Sequence, residues 1–211
     1  MKKKIIIGSR ASKLALIYAE KAKEEILKNQ EVESVEIKRI TTTGDTLKNV
    51  RVSEHGGKGL FCKKIEQELL SNNIDIAVHA LKDMPTDETE GLITNCFLER
   101  SDPREILISH NNKNIKELKL NAIVGTSSYR REFQLKNIRK DITCKLIRGN
   151  VDTRIEKLND NQYDAIILSY AGIKSLGLEE KISQNFTISE LIPSAGQGVI
   201  ALQCRDSDED L

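Results

Sequence analysis

Tryptophan is absent from the 211-residue sequence, and phenylalanine and tyrosine together supply only 4% aromatic residues. Few flat side chains are therefore available for stacking bases, which argues against a single-stranded nucleic-acid binder. Surplus charge is missing too: 33 basic residues face 32 acidic ones, for a net charge of +1. Such a balance generates no broad field for gripping a phosphate backbone. The four cysteines (62, 96, 144 and 204) form no Cys-x-x-Cys pair, and the three histidines (55, 79 and 110) have no ligand spacing. Free thiols and no bound metal are the expectation. Long apolar runs are lacking as well. Ile5-Ile6-Ile7 follows three lysines but stops at Gly8-Ser9-Arg10, too short for an export signal, and no stretch approaches a membrane span. The sequence reads as a cytoplasmic globular protein of 23.7 kDa, large enough for one big domain or two small ones.

What is present alternates between two periods. Lys4 to Ile7, Val35 to Thr41, Ile74 to Val78, Glu105 to Ile108, Ala122 to Val124, Lys145 to Ile147 and Ala165 to Leu168 are short, β-branched and strand-like. Leu14, Tyr18, Ala22 and Ile26 recur every four residues, as do Phe61, Ile65 and Leu69; Val151, Ile155 and Leu158 also follow helical spacing. This alternation predicts an α/β fold with largely parallel or mixed sheets flanked by helices. Ile6-Ile7-Gly8-Ser9-Arg10 and Ile123-Val124-Gly125-Thr126-Ser127 share one grammar of apolar strand, glycine, hydroxyl residues and helix. Two lobes, each with an anion-binding turn facing a common cleft, follow from that repetition; helix capping alone is the simpler alternative for either turn. Residues 99–104 and 193–198, punctuated by proline and glycine, are the expected crossings between lobes. Residues 1–98 with 195–211 then form lobe 1, and 99–194 form an inserted lobe 2. Residues 42–59, with four glycines, read as a lid over the cleft.

Arginine is concentrated. Five of the eleven lie between positions 125 and 154, in Gly125-Thr126-Ser127-Ser128-Tyr129-Arg130-Arg131 and Arg148-Gly149-Asn150-Val151-Asp152-Thr153-Arg154, with Arg139 between them. Guanidinium groups grip carboxylates or phosphates through paired hydrogen bonds, so these segments predict a ligand bearing several anionic groups. Arg130 and Arg131 point about 100° apart on a helix and need not share one partner. The segment Ile74 to Pro85 delivers Lys82-Asp83 to the end of a buried strand, where α/β folds gather ligands. An exposed loop ion pair is the bland reading of the same residues. His79 reads as a packed, hydrogen-bonded histidine.

Seven motifs in order carry a resemblance: Arg10-Ala-Ser12-x-Leu14-Ala15, Thr43-Gly44-Asp45, Gly56-Gly57-Lys58-Gly59-Leu60-Phe61, Val78-His79-x-x-Lys82-Asp83-x-Pro85, Gly125-Thr126-Ser127-Ser128-x-Arg130-Arg131, Arg148-Gly149-Asn150-Val151-x-Thr153-Arg154 and Pro193-x-Ala195-Gly196-Gln197-Gly198. Together the sequence resembles the porphobilinogen deaminase (hydroxymethylbilane synthase) family over essentially its whole length. The resemblance implies two lobes like those of type II periplasmic binding proteins, joined by two hinge crossings, with a smaller third domain beyond them. It also implies a transferase of haem and tetrapyrrole biosynthesis that joins four porphobilinogens head to tail, releasing ammonia and hydroxymethylbilane. A cysteine of the third domain anchors the dipyrromethane cofactor in that family. By motif, Asp83 is the catalytic group beside the pyrrole N–H groups. Lys82, Thr126, Ser127, Ser128, Arg130, Arg131, Arg154 and Gln197 hold cofactor, and Arg10, Ser12, Arg148 and Gly149 hold incoming substrate. The implied partners are porphobilinogen and its oligomers, with no nucleic acid or membrane, and the implied state is a monomer.

The sequence departs from the family pattern at Ala80, where serine is usual, at Tyr18, where glutamine is common, and at Ser175, where a cofactor-binding arginine is often found. It also ends at Leu211, before the third domain, and none of its cysteines lies in the attachment motif. A noncatalytic two-lobed receptor for an anionic small molecule is the rival reading. The 211-residue polypeptide is expected to take up no thiol-linked pyrrole and to show little turnover alone. Intact-mass measurement after incubation with porphobilinogen checks this, and an adduct on any of the four cysteines refutes it.

Overall fold

The computed structural model describes residues 4–46 and 59–208. The Gly56-Gly57-Lys58 motif and most of the expected lid at 42–59 lie outside the described residues. In chain order the elements are β1 (Lys4–Arg10), α1 (Lys13–Ile26), β2 (Ser34–Ile40), α2 (Thr43–Thr46), α3 (Gly59–Leu70), β3 (Ile76–Ala80), β4 (Leu92–Phe97), β5 (Glu105–Ser109), β6 (Ile123–Gly125), α4 (Tyr129–Ile138), β7 (Thr143–Lys145), α5 (Val151–Asn159), β8 (Ala165–Ser169), α6 (Tyr170–Ser175), β9 (Gln184–Asn185) and β10 (Ile200–Arg205). The described chain divides into two compact units: Ser101–Gly198 forms the second, and the residues up to Arg100 join those from Val199 onward in the first.

The two units share one plan. The first holds a five-stranded sheet in the order β2-β1-β3-β10-β4, the second a five-stranded sheet in the order β7-β6-β8-β5-β9. In each, the first three strands run parallel and the fourth is antiparallel to both its neighbours. That antiparallel strand, β10 or β5, is the one the chain enters directly after passing from the other unit. The likeness reaches single residues. The Asp75 amide donates to the Ile6 carbonyl at 2.7 Å while its carboxylate accepts from the Ile6 amide at 2.8 Å. Asp164 does the same to Ile123, at 2.8 Å in both directions.

Side chains alternate across each sheet into two cores, as strands covered on both faces require. In the first unit, Ile5 and Ile7 of β1 pack with Ala19 and Ala22 of α1, while Ile6 turns to Ile65 and Leu69 of α3. In the second, Leu107, Val124 and Ile167 meet Leu135 of α4, and Ile106, Ile108 and Ile166 meet Ile155 and Leu158 of α5.

Several boundaries differ from those expected. Strand β1 runs through Gly8, Ser9 and Arg10, and Ser12 caps the helix that follows, so Gly8 opens no anion turn. Its role is steric: a Cβ there would lie 2.2 Å from Cδ1 of Ile74. Strand β7 ends at Lys145, and Ile147 enters the core from the loop beyond it. Strand β4 was not foreseen because its outer half is exposed and lacks alternation, and β9 is two residues long.

The expected crossings meet. The Ser101 amide donates to the Gly198 carbonyl at 2.8 Å, and Nε2 of Gln197 donates to the Pro103 carbonyl at 2.6 Å. Gly198 has a φ of +86°, and a Cβ on it would sit 2.3 Å from the Ser101 carbonyl oxygen. Both the positive φ and the backbone obstruction demand glycine. Gly198→Ala is expected to lower stability by about 1–3 kcal/mol, read as a reduced urea midpoint at unchanged m-value; an unaltered midpoint contradicts this account.

Candidate functional site

Within each unit the residues singled out by sequence gather at the C-terminal ends of the parallel strands. In the first unit, Arg10 ends β1, Ser12 follows it, and Lys82 and Asp83 lie in the short 3-10 turn Leu81–Asp83 that continues β3. Parallel pairing of β1 with β3, with Gly8 opposite Ala77, brings these ends to one edge. Arg10 is half-buried and lies over the Phe61 ring, 4.2 Å from its centroid, an arrangement that holds the cation in place. Ser12 Oγ accepts from the Ala15 amide at 3.4 Å as the cap of α1.

The Lys82-Asp83 turn is pinned on both sides. The Leu81 amide donates to the Val199 carbonyl at 3.0 Å, and the Cys62 thiol donates to the Asp83 carbonyl at 3.7 Å. Beneath the turn, Met84, Cys62 and Ala201 form a small apolar cluster with Leu81. Lys82 and Asp83 remain half-buried, so their backbone is anchored while both side chains keep access to solvent.

Behind the turn runs a buried polar chain. His79 Nε2 is 3.2 Å from Gln203 Oε1, Gln203 Nε2 donates to Glu66 Oε1 at 3.3 Å, and Thr89 Oγ1 donates to Glu66 Oε2 at 3.0 Å. Because the Gln203 oxygen can only accept, this arrangement puts the imidazole proton on Nε2. Burial pushes His79 down to about 4; the Gln203 hydrogen bond and the Asp83 charge oppose the shift, and Arg10 adds to it. His79 is therefore neutral at neutral pH, in keeping with a packed histidine.

In the second unit, β6 ends at Gly125 and leads through Thr126-Ser127-Ser128 into α4. Thr126 is 1% exposed; its Oγ1 accepts from the Ser128 amide at 3.1 Å and its amide donates to Lys145. The hydroxyl thus shapes the loop from inside. Ser127 and Ser128 are half-buried, and Ser128 caps α4 by accepting from the Arg131 amide at 3.4 Å. Beyond β7, Gly149 adopts a φ of +112°, and a Cβ there would lie 2.8 Å from Thr153. The carbonyls of Arg148 and Gly149 accept from Lys157 Nζ at 3.0 Å and Arg154 Nε at 2.8 Å. Backbone oxygens that would repel a carboxylate are thereby turned toward two cations carried by α5, Arg154 and Lys157.

Arg130 and Arg131, which by their separation of about 100° on a helix need not share a partner, do share one. Both pair with Glu105, whose side chain is fully buried at the start of β5. Arg131 forks onto it through Nε at 3.1 Å and Nη2 at 2.7 Å, and gives Nη1 to the Ile167 carbonyl at 3.1 Å. Arg130 donates Nη2 to Glu105 at 2.5 Å and Nη1 to the Ile192 carbonyl. Burial works against the charged form of Glu105, but the two guanidinium groups outweigh it and hold the carboxyl below its ordinary value. Sequence reasoning missed Glu105, reading it only as the first residue of a strand. Gln197, expected beside cofactor, is 1% exposed and ties the two crossings together.

Among the described residues, no group of histidine, cysteine and carboxylate side chains could hold a metal, and no helix is long and apolar enough to cross a membrane. A family model described as porphobilinogen deaminase, dipyromethane cofactor binding domain, matches residues 5–211. Porphobilinogen deaminase of Bacillus subtilis (strain 168) is 46% identical over all of this chain and 68% of its own length.

The chain belongs to the porphobilinogen deaminase family.

Porphobilinogen deaminase of Bacillus pumilus (strain SAFR-032) is likewise 46% identical, over 98% of the chain and 67% of the relative. Among solved structures, the sulfate-bound regulatory domain of OxyR2 from Vibrio vulnificus aligns with a TM-score of 0.56 at 12% identity, covering 98% of this chain and 88% of that one. Substrate binding domain 2 of GlnP from Lactococcus lactis aligns at 0.55 and 12%, covering 99% and 84%. At such identity the structural likeness concerns fold alone, and that fold is the expected two-lobed one of binding-protein type. The activity that goes with the family is that of porphobilinogen deaminase, or hydroxymethylbilane synthase, a transferase.

Buried His79 gives a pH test. A folded pKa below the unfolded value of 6.5 means that the unfolded chain takes up the proton first, so stability falls as pH drops from about 6.5 through about 4. The contribution reaches about 3 kcal/mol. A His79→Gln variant lacks this component, so the stability difference between wild type and variant shrinks on acidification. A difference that stays flat between pH 7 and pH 4 in urea unfolding contradicts it.

Proposed function

We propose that the strand-end residues of the two units serve the condensation of four porphobilinogens into hydroxymethylbilane, with Asp83 as the catalytic carboxylate. The observation that carries this reading is the pinned turn at the end of β3, where Asp83 has its backbone fixed by Val199 through Leu81 and by Cys62 and keeps a half-buried side chain. A carboxylate so held accepts hydrogen bonds from pyrrole N–H groups and stabilises the positive charge left when ammonia departs. It also moves protons at the reacting carbon. Neutral His79 behind it adds no competing cation.

Porphobilinogen bears acetate and propionate arms, so its recognition needs cations at several points. Arg10, held over Phe61, and Lys82 supply them in the first unit, with Ser12 at the start of α1. Arg130, Arg148 and Arg154, with the N-termini of α4 and α5, supply them in the second. Ser127, Ser128 and Gly149 border the same loops. Thr126, Arg131 and Gln197 act from within by fixing backbone and neighbouring side chains. This donor set, arginines and helix starts with the carbonyls of residues 148 and 149 turned away, fits dipyrromethane, whose arms are the same carboxylates. When bound, dipyrromethane supplies the pyrrole end to which each new ring is joined. By the family's attachment motif its anchoring thiol is a cysteine other than these four; two of them are also poorly suited as nucleophiles, since Cys62 is buried against Asp83 and burial raises the Cys204 thiol above its ordinary value, which disfavours the thiolate. The working state is a cytoplasmic monomer that partners with porphobilinogen and its oligomers.

The experiment is a fusion of this chain to the C-terminal third of the Bacillus subtilis relative, assayed for ammonia release and product absorbance. Turnover is expected, and Asp83→Asn is expected to lower kcat by about 10²–10⁴, equivalent to about 3–5 kcal/mol of barrier, with a smaller effect on KM. Normal turnover in the variant removes Asp83 from the chemistry.

A further inference from the structure

Two adjacent guanidinium groups on one helix would ordinarily repel each other and splay into solvent. Here they converge on one carboxylate that no motif contains. Glu105 has a side chain with no exposed area, against 10% for Arg131 and 29% for Arg130. Its Oε1 is shared by Arg130 Nη2 and Arg131 Nε, and its Oε2 takes Arg131 Nη2. With Ile167 holding Arg131 Nη1, Arg131 is bonded through all three of its nitrogens to the sheet. Arg130 has its two terminal nitrogens fixed by Glu105 and the Ile192 carbonyl, and is the more exposed of the two. One negative charge beneath two positive ones leaves a single net cation in a set orientation.

We propose that Glu105 is a positioning residue for substrate and cofactor carboxylates: it makes Arg131 a fixed strut, aims Arg130 at the ligand, and trades raw anion affinity for geometry. The inference rests on the site reading given above. It implies that the second unit selects pyrrole carboxylates over simple anions because half of its local positive charge is cancelled internally. A free pair of arginines would hold any anion, whereas an oriented one rewards a carboxylate placed at a matching distance and angle.

The test is calorimetric titration of the full 211-residue chain with porphobilinogen and, separately, with sulfate. Glu105→Gln is expected to weaken porphobilinogen binding at least about tenfold while tightening sulfate binding about threefold or more, since the counter-charge goes and the orientation goes with it. Glu105→Asp, which keeps the charge but not the reach to both guanidiniums, is expected to restore wild-type sulfate affinity and only part of the porphobilinogen affinity. Changes of the same sign for both ligands, or unchanged porphobilinogen affinity, overturn the proposal. A wild-type chain with no affinity for porphobilinogen overturns the site reading itself. Should Glu105→Gln fail to fold, arginine Nε–H NMR of the wild type decides: Arg131 is expected to be protected from exchange with and without porphobilinogen, and Arg130 alone to shift on binding. Equal shifts in both, or an unprotected Arg131, count against it.

Discussion

Asp75 grips the backbone of Ile6 at both its amide and its carbonyl, and Asp164 grips Ile123 in the same way. Each clamp locks the entry of the third parallel strand to the first, so that Gly8 stands opposite Ala77 and Gly125 opposite Ile166. Register in a sheet is discrete, and a slip of one residue would send every side chain to the wrong face. With the register fixed, Ile74 occupies the space beside Gly8 and Tyr163 that beside Gly125, and the strand ends carrying Arg10, Lys82, Asp83 and the Thr126-Ser127-Ser128 loop fall at defined heights. The placement of those strand ends depends on two carboxylates whose bonds go to the backbone of the neighbouring strand.

Charge is handled locally. In the first unit an aromatic face steadies Arg10, and the neighbouring imidazole is kept neutral by burial. In the second, a buried carboxylate and a set of backbone carbonyls orient five cations, Arg130, Arg131, Arg139, Arg154 and Lys157. Arg139 bridges Asp141 and the carbonyls of Ile115, Leu118 and Lys119. A chain with a net charge of +1 can thus present strongly cationic points without becoming a general polyanion binder.

Much of this was legible in the sequence because it rests on local rules. Apolar runs at Ile106 to Ile108 and Ala165 to Leu168 marked strands, and the four-residue spacing of Leu14, Tyr18, Ala22 and Ile26 marked α1. The Lys82-Asp83 pair was placed at a strand end by the apolar run before it. What escaped were partnerships over long separations. Glu105 meets Arg131 across 26 residues, and Gln203 meets His79 across 124; no periodicity encodes such meetings. The glycine signal was real but its cause was misread, since at Gly8 the lost side chain makes room for Ile74 and not for an anion. Strand β4 hid because its outer half faces solvent.

The placement of the antiparallel strands sets an order of assembly. The second unit owns all five of its strands once residue 185 has left the ribosome, and nothing N-terminal to Ser101 belongs to its sheet. The first unit has β1 to β4 much earlier but wants β10, which fits between β3 and β4 and closes the gap only when Arg205 arrives. Contacts of such long sequence separation form late. During synthesis the first unit therefore completes its sheet after the second, its β3 and β4 edges open until β10 slides in.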